Sequence, residues 1–308
     1  MRNVWFGLWC LAGFSLINCD GQARHSPGGD GGTDGDVADA DVDSGDAGGD
    51  AGDAGDGGGL FPFEIELVES RGVNDPATTA FAWVTNLDGD DDAWIPTLTV
   101  GDCVYNTPQP EGFCDPACEP PEMCRHDNTC GPPPDAVSAG EIVVTGLRVD
   151  LTLRPLEPYL YYEAVWSPEP ADGDLFAGGD ILTATAAGST VPAFSLSTLG
   201  VEALATDLTC PLTLAPGTDL EVTWTPGSGD DRVVFSLQSG NHGIQFSSVV
   251  CTTADDGQLR VDASLIDAFA ADFHPVQLWI LRREREDATI AAPADVRLRA
   301  VSRVACYQ

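Results

Sequence analysis

Few side chains in this 308-residue sequence stand where chemistry is usually done. Its four histidines are His25, His126, His242 and His274, and no Gly-x-Ser-x-Gly, His-Glu-x-x-His, Cys-x-x-Cys or P-loop pattern occurs. His242 is the most suggestive. It sits in Gly240-Asn241-His242-Gly243 between two apolar runs, where a loop-tip imidazole next to an aspartate would serve as a base or a ligand. The plainer reading is a hairpin turn in which Asn241 and Gly243 supply positive φ, and the pattern favours it. Asp88, Asp90 and Asp92 have the alternating spacing of a calcium loop. Ala93 stands where that loop wants glycine and Thr99 where it wants a bidentate glutamate, which makes a solvated acidic turn the better expectation. Asp39, Asp41 and Asp43 repeat the spacing inside a flexible acidic tract, again with no glutamate to close the site. Tyr159 and Tyr161 share one strand face and are candidate stacking residues for a sugar or a partner; core packing, with hydroxyls bonded at the rim, is the commoner fate of such a run.

The cysteines carry more information. Cys103, Cys114, Cys118, Cys124, Cys130, Cys210, Cys251 and Cys306 follow the N-terminal pair Cys10 and Cys19. Five fall within 103–130, in a proline-rich stretch with little apolar content, so cross-links must replace a core there. Zinc is the competing chemistry. It prefers knuckles two to four residues apart, and only Cys114 and Cys118 fit. Eight cysteines in an exported chain point to four disulfides, with Cys114–Cys124 and Cys118–Cys130 interlaced, Cys103 reaching Cys210, and Cys251 joined to Cys306. No metal or other cofactor is expected.

Export itself is read from residues 1–19. Arg2 precedes an apolar run from Val4 to Ile17, shorter than the roughly 20 residues a spanning helix needs and built like a secretory signal. The run ends in Leu16-Ile17-Asn18-Cys19, which resembles the lipobox of bacterial lipoprotein precursors, although Asn18 stands where that pattern favours a small residue. The resemblance implies cleavage before Cys19, acylation of that cysteine, and attachment to a membrane through its lipid.

Composition divides the rest. Residues 19–59 are a Gly/Asp/Ala-rich linker whose part from 26 to 59 has no aromatic residue, a composition that predicts disorder and a span of about 32 Å. Eleven of the 49 acids lie in the linker, so residues 60–308 carry 38 acids against 12 arginines, a formal charge of −26. There is no lysine at all. Such a balance excludes nucleic acid as a partner. Period-two alternation begins at Phe63-Glu-Ile-Glu-Leu-Val-Glu69 and recurs in Thr79–Thr85, Trp94–Val100, Glu141–Leu153, Tyr159–Trp166, Asp180–Ala186, Val191–Leu196, Leu208–Leu214, Asp219–Thr225, Arg232–Gln238, Ile244–Cys251, Gln258–Asp262, Val276–Arg282 and Asp295–Ser302. Only Ser264–Phe273 reads as helix. Short strands with turn signals at even spacing predict an all-β, immunoglobulin-like or jelly-roll-like sandwich over 60–308, interrupted by a disulfide-rich insertion at 103–134. One sandwich and two flanking ones both fit.

Gly173-Asp-Leu-Phe-Ala-Gly-Gly-Asp180, Val191-Pro-Ala-Phe-Ser195, Val222-Thr-Trp-Thr-Pro-Gly-Ser-Gly-Asp230, Gly240-Asn-His-Gly243 and Val250-Cys251 resemble exported lipoproteins of myxobacteria and their relatives. The resemblance implies lipidation, an envelope location and a β-rich fold, and brings no activity with it. The expected function is a non-catalytic envelope module binding a protein or glycan. Its rivals are an extracellular hydrolase of glycan or peptide, and a calcium-dependent adhesion module.

Overall fold

A computed structural model gives the structure of the chain and describes residues 60–73, 75–85, 94–108, 118–119, 122–124, 129–131, 137–156, 160–162, 165–166, 175–241, 244–271 and 276–307. In chain order the elements are β1 (Phe61–Gly72), β2 (Asp75–Thr85), β3 (Trp94–Val100), β4 (Cys103–Pro108), β5 (Met123–Cys124), β6 (Cys130–Gly131), β7 (Ile142–Thr145), β8 (Leu151–Leu153), β9 (Pro155–Leu156), β10 (Tyr161–Tyr162), β11 (Val165–Trp166), β12 (Ile181–Ala186), β13 (Phe194–Leu199), β14 (Leu220–Thr223), β15 (Arg232–Asn241), β16 (Ile244–Ala254), β17 (Gln258–Val261), α1 (Ala263–Ala271), β18 (Val276–Ala291) and β19 (Ala294–Tyr307).

Nine strands form one sheet in the order β11-β2-β1-β19-β18-β15-β16-β4-β3. All its pairings are antiparallel except β1 with β19, which run parallel from Phe61 opposite Ala294 to Gly72 opposite Ala305. Alternation sorts its faces. On β19, Val296, Leu298, Ala300, Val304 and Cys306 point inward, and Arg297, Arg299 and Arg303 point out. On the inward face the four-stranded sheet β13-β12-β7-β8 covers one half, and the β14–β17 ribbon with α1 covers the other. The result is an all-β sandwich with a single long wall and two cores. In the first, Phe63, Ile65 and Leu298 meet Ile142, Leu182 and Phe194. In the second, Val233, Phe235, Trp279 and Leu281 meet Val222, Leu265, Ile266 and Phe269. Each fully buried side chain of this size contributes about 1.5–3 kcal/mol.

Two loci show why the local sequence folds this way. Asp262 caps α1, its Oδ1 accepting from the Ser264 backbone N–H at 2.9 Å, as a helix N-terminus requires. Gly146 has φ +85°, and a Cβ there would lie 2.0 Å from the Ile181 carbonyl oxygen, so only glycine allows the chain to turn against β12. That turn splits the single strand expected over Glu141–Leu153 into β7 and β8. Leu208–Leu214, also expected as a strand, runs irregularly. Pro211 has no N–H for a ladder, while Leu208, Leu212 and Leu214 pack half-buried against the second core.

Three disulfides join described cysteines. Cys118–Cys130 is the bond expected there. The other two correct the expectation: Cys103 bonds Cys251, and Cys210 bonds Cys306. The physical reason is register. Cys103 belongs to β4 and faces Cys251 directly across the β4–β16 ladder, while Cys306 sits on the inward face at the far end of β19 near the irregular 208–214 run. Cys114 lies outside the described residues, and with it the expected Cys114–Cys124 bond. Bonds of this number suit an oxidising, extracytoplasmic compartment.

Candidate ligand-binding site

Most residues singled out from the sequence fall where the structure is not described. Cys19, Asp88, Asp90, Asp92, Tyr159 and His242 lie outside the described residues. Asn241 ends β15 opposite Ile244, and Tyr161 lies on β10 opposite Leu156. Tyr162 is core. Its ring meets Phe63 edge-on at 6.1 Å, and its hydroxyl donates to the Gly140 carbonyl at 2.8 Å while accepting from the Ala139 N–H at 3.0 Å. Burial raises the pKa of that phenol.

Among the described residues, ion pairs gather in two places, and both are internally matched. On the inward face, Arg283 and Asp255 are each 1% exposed. Arg283 Nε and Nη2 grip Asp255 at 2.6 and 3.1 Å, and its remaining hydrogens go to the carbonyls of Thr225, Glu202 and Ala203. Asp255 also accepts from the Trp224 indole and the Gly227 N–H. This knot ties β18 to three loops, those after β13 and β14 and the turn between β16 and β17.

On the outward face, strand register lines up arginine with glutamate. Arg299 Nη1 reaches Glu64 at 2.7 Å and Glu66 at 2.9 Å, and its Nη2 reaches Glu286 at 2.5 Å. Glu284, 1% exposed, is held by Arg232 and Arg282. Burial pushes the Glu64 carboxyl up to about 7; Arg299 pulls it back, and Glu66 and Glu286 push it further. Burial draws the Arg299 guanidinium down, but the surrounding carboxylates outweigh it and the net shift is upward. Arg303 stacks 5.1 Å above the Phe81 ring and donates to Ser70 Oγ at 2.9 Å, with its pKa lowered by burial.

Two concavities among the described residues bear on binding. One, of about 550 Å³, runs beside Asp102, Glu221, Asp256 and Asp262, with Arg260 committed to Asp219. Its acids do not converge, and no group of His, Cys, Asp or Glu among the described residues is placed to hold a metal ion. The other, of about 530 Å³, lies at the seam between the covering sheet and the long wall. Ser197, Thr198 and Leu199 of β13 and Ile181 of β12 line it from the covering sheet, Arg285 to Asp287 from β18, and Asp230 from the loop before β15. Ile181 is 66% exposed at its rim.

Thr198 sets this second concavity apart. It is 3% exposed, yet its Oγ1 has no hydrogen-bond partner. A buried hydroxyl left unbonded costs about 1–3 kcal/mol, so natural chains rarely keep one without a use. Nearby, Arg285 is matched by Asp231 at 2.7 Å, and burial raises the Asp231 carboxyl against the pull of that guanidinium. The rim acids Asp230 and Asp287 are exposed and have no arginine opposite them among the described ion pairs. The sequence held one sign of this site. Phe194, Leu196 and Thr198 share the inward face of β13, and the threonine is the polar residue in that apolar row. Set against known protein families, curated proteins and solved structures, the chain matches none of them.

Proposed function

We propose that this chain is an exported module, tethered to the cell envelope through lipid on Cys19, that binds a partner non-catalytically at the seam between β13 and β18. The observation that carries the reading is the unbonded, buried hydroxyl of Thr198, a residue that lines an open, partly apolar concavity. A ligand that bonds this oxygen would remove a desolvation cost that the unliganded chain bears. The disulfides support the location. The sequence from Arg2 to Cys19 supports export and the anchor, and the acidic linker supports a domain held off the surface that it serves. No helix among the described residues is long and apolar enough to cross a membrane.

Two measurements test it. The intact mass of protein extracted from membranes should correspond to a chain starting at Cys19 plus acyl groups. A chain starting elsewhere, without lipid, rules the tether out. Capture on solubilised envelope should enrich a partner with the natural chain and lose it with Ser197→Trp, which fills the concavity from an exposed position. Equal enrichment by both chains would place binding elsewhere.

A further inference from the structure

β18 is longer than the strand beside it. It pairs with β19 from Leu278 to Ala291, but with β15 only from Val276 to Glu284, where Arg232 begins the ladder. On the β15 side, Arg285–Ala291 meets no strand among the described residues. Asp287, Ala288 and Ile290 are exposed, Ile290 by 68%. Alternate residues of an antiparallel strand turn their N–H and C=O groups to one side, so on this side the segment presents a row of donors and acceptors with no strand partner among the described residues. The concavity above Thr198 opens directly beside that row, with Arg285 to Asp287 belonging to both.

Building on the binding reading, we infer that Arg285–Ala291 of β18 is a receptor edge for an extended basic segment of a partner protein. The segment adds as a strand in line with β15 and sends a lysine or arginine side chain into the concavity. Main-chain bonds to the open edge supply affinity, and the alternate side chain supplies specificity, as in other strand additions. The cationic head donates to Thr198 Oγ1 and pairs with Asp230 and Asp287, while its methylenes lie on Ile181 and Leu199. Charge selects the occupant. A domain of formal charge −26 attracts a basic strand and repels an acidic one, including its own linker with 11 aspartates.

The experiment uses the full chain and two capped, labelled octapeptides, alternating Lys-Val and alternating Glu-Val, with binding followed by fluorescence anisotropy and amide exchange. The Lys-Val peptide should bind at least about tenfold more tightly, and at saturation it should slow exchange within 286–290. Methylating the backbone nitrogens of every second residue of the peptide should abolish binding in one phase and spare it in the other, because only one edge of an added strand meets the sheet. Asp230→Asn and Thr198→Val should each weaken binding severalfold. Equal affinity for the two peptides, no slowing at 286–290, or indifference to both methylation phases would each overturn the inference. If peptide binding fails while envelope capture survives, this edge is wrong and the module reading stands. If peptide binding holds while capture is lost, the envelope reading falls instead.

Discussion

Arg283 places all of its guanidinium hydrogens on acceptors, and Asp255 receives four bonds in return. A pair buried this completely is costly to break from one side, because the remaining charge has neither water nor partner. Arg283→Ala should therefore destabilise the fold by about 3–5 kcal/mol in urea unfolding, well beyond the loss of an exposed ion pair. A cost below about 1 kcal/mol would mean that water enters and solvates Asp255. Thr198 is the opposite case. Thr198→Val keeps the shape and removes the unbonded oxygen, so the unliganded protein should gain about 1 kcal/mol while the variant binds more weakly. A drop in melting temperature would show that the hydroxyl already has a partner in solution. Sequence reasoning singled out neither residue. Arg283 falls one residue past the expected strand Val276–Arg282, and Thr198, whose one sign was a polar residue in an apolar row, falls two residues past Val191–Leu196.

At the scale of the strand, alternation was legible and length was not. Phe63–Glu69 announces β1, and Trp94–Val100 coincides with β3, because one face of each is apolar or the turns around it are marked. Val276–Arg282 was expected to end where Arg-Arg-Glu-Arg-Glu-Asp begins, yet β18 continues to Ala291. The charged residues are strand residues whose partners lie across the sheet, and a single sequence does not display its cross-strand partners. Glu64, Glu66 and Glu286 gathered around Arg299 make that lattice pH-sensitive. Folding raises the Glu64 pKa from an ordinary 4.5 to about 7, so the folded chain holds that proton more tightly than the unfolded one. Its contribution is least unfavourable below pH 4.5, worsens as pH rises from 4.5 to 7, and reaches its full cost above 7. The shift is equivalent to at most about 3–4 kcal/mol, at 1.4 kcal/mol per unit. Glu64→Gln should flatten the fall in stability between pH 5 and 8 and leave the variant more stable at pH 8, as followed by urea midpoints at intervals of one pH unit. An unchanged pH profile would assign the slope to other groups.

For the whole molecule, sequence favoured one sandwich over 60–308 but did not close off two flanking ones, and the reason is geometric. Each covering element announces its own small core, but the strands that unite them, β18 and β19, read as ordinary strands until their pairing is known. The two cores share this wall and differ in how they are fastened. Cys103–Cys251 and Cys210–Cys306 both belong to the second core, one across β4 and β16, the other from the 208–214 run to β19. No disulfide among the described residues enters the first. A bond closing a long loop acts chiefly by restricting the unfolded chain, typically by about 2–4 kcal/mol. Replacing Cys103 and Cys251 together by alanine should therefore loosen the second core preferentially. Amides of Val249, Leu265 and Trp279 should lose exchange protection first, while those of Ile65 and Leu298 keep theirs until higher denaturant. Simultaneous loss at both sets would instead mean that β18 and β19 couple the cores into a single cooperative unit. The open edge at Arg285–Ala291 would then be supported by the entire fold, since loosening either core would disorder it equally.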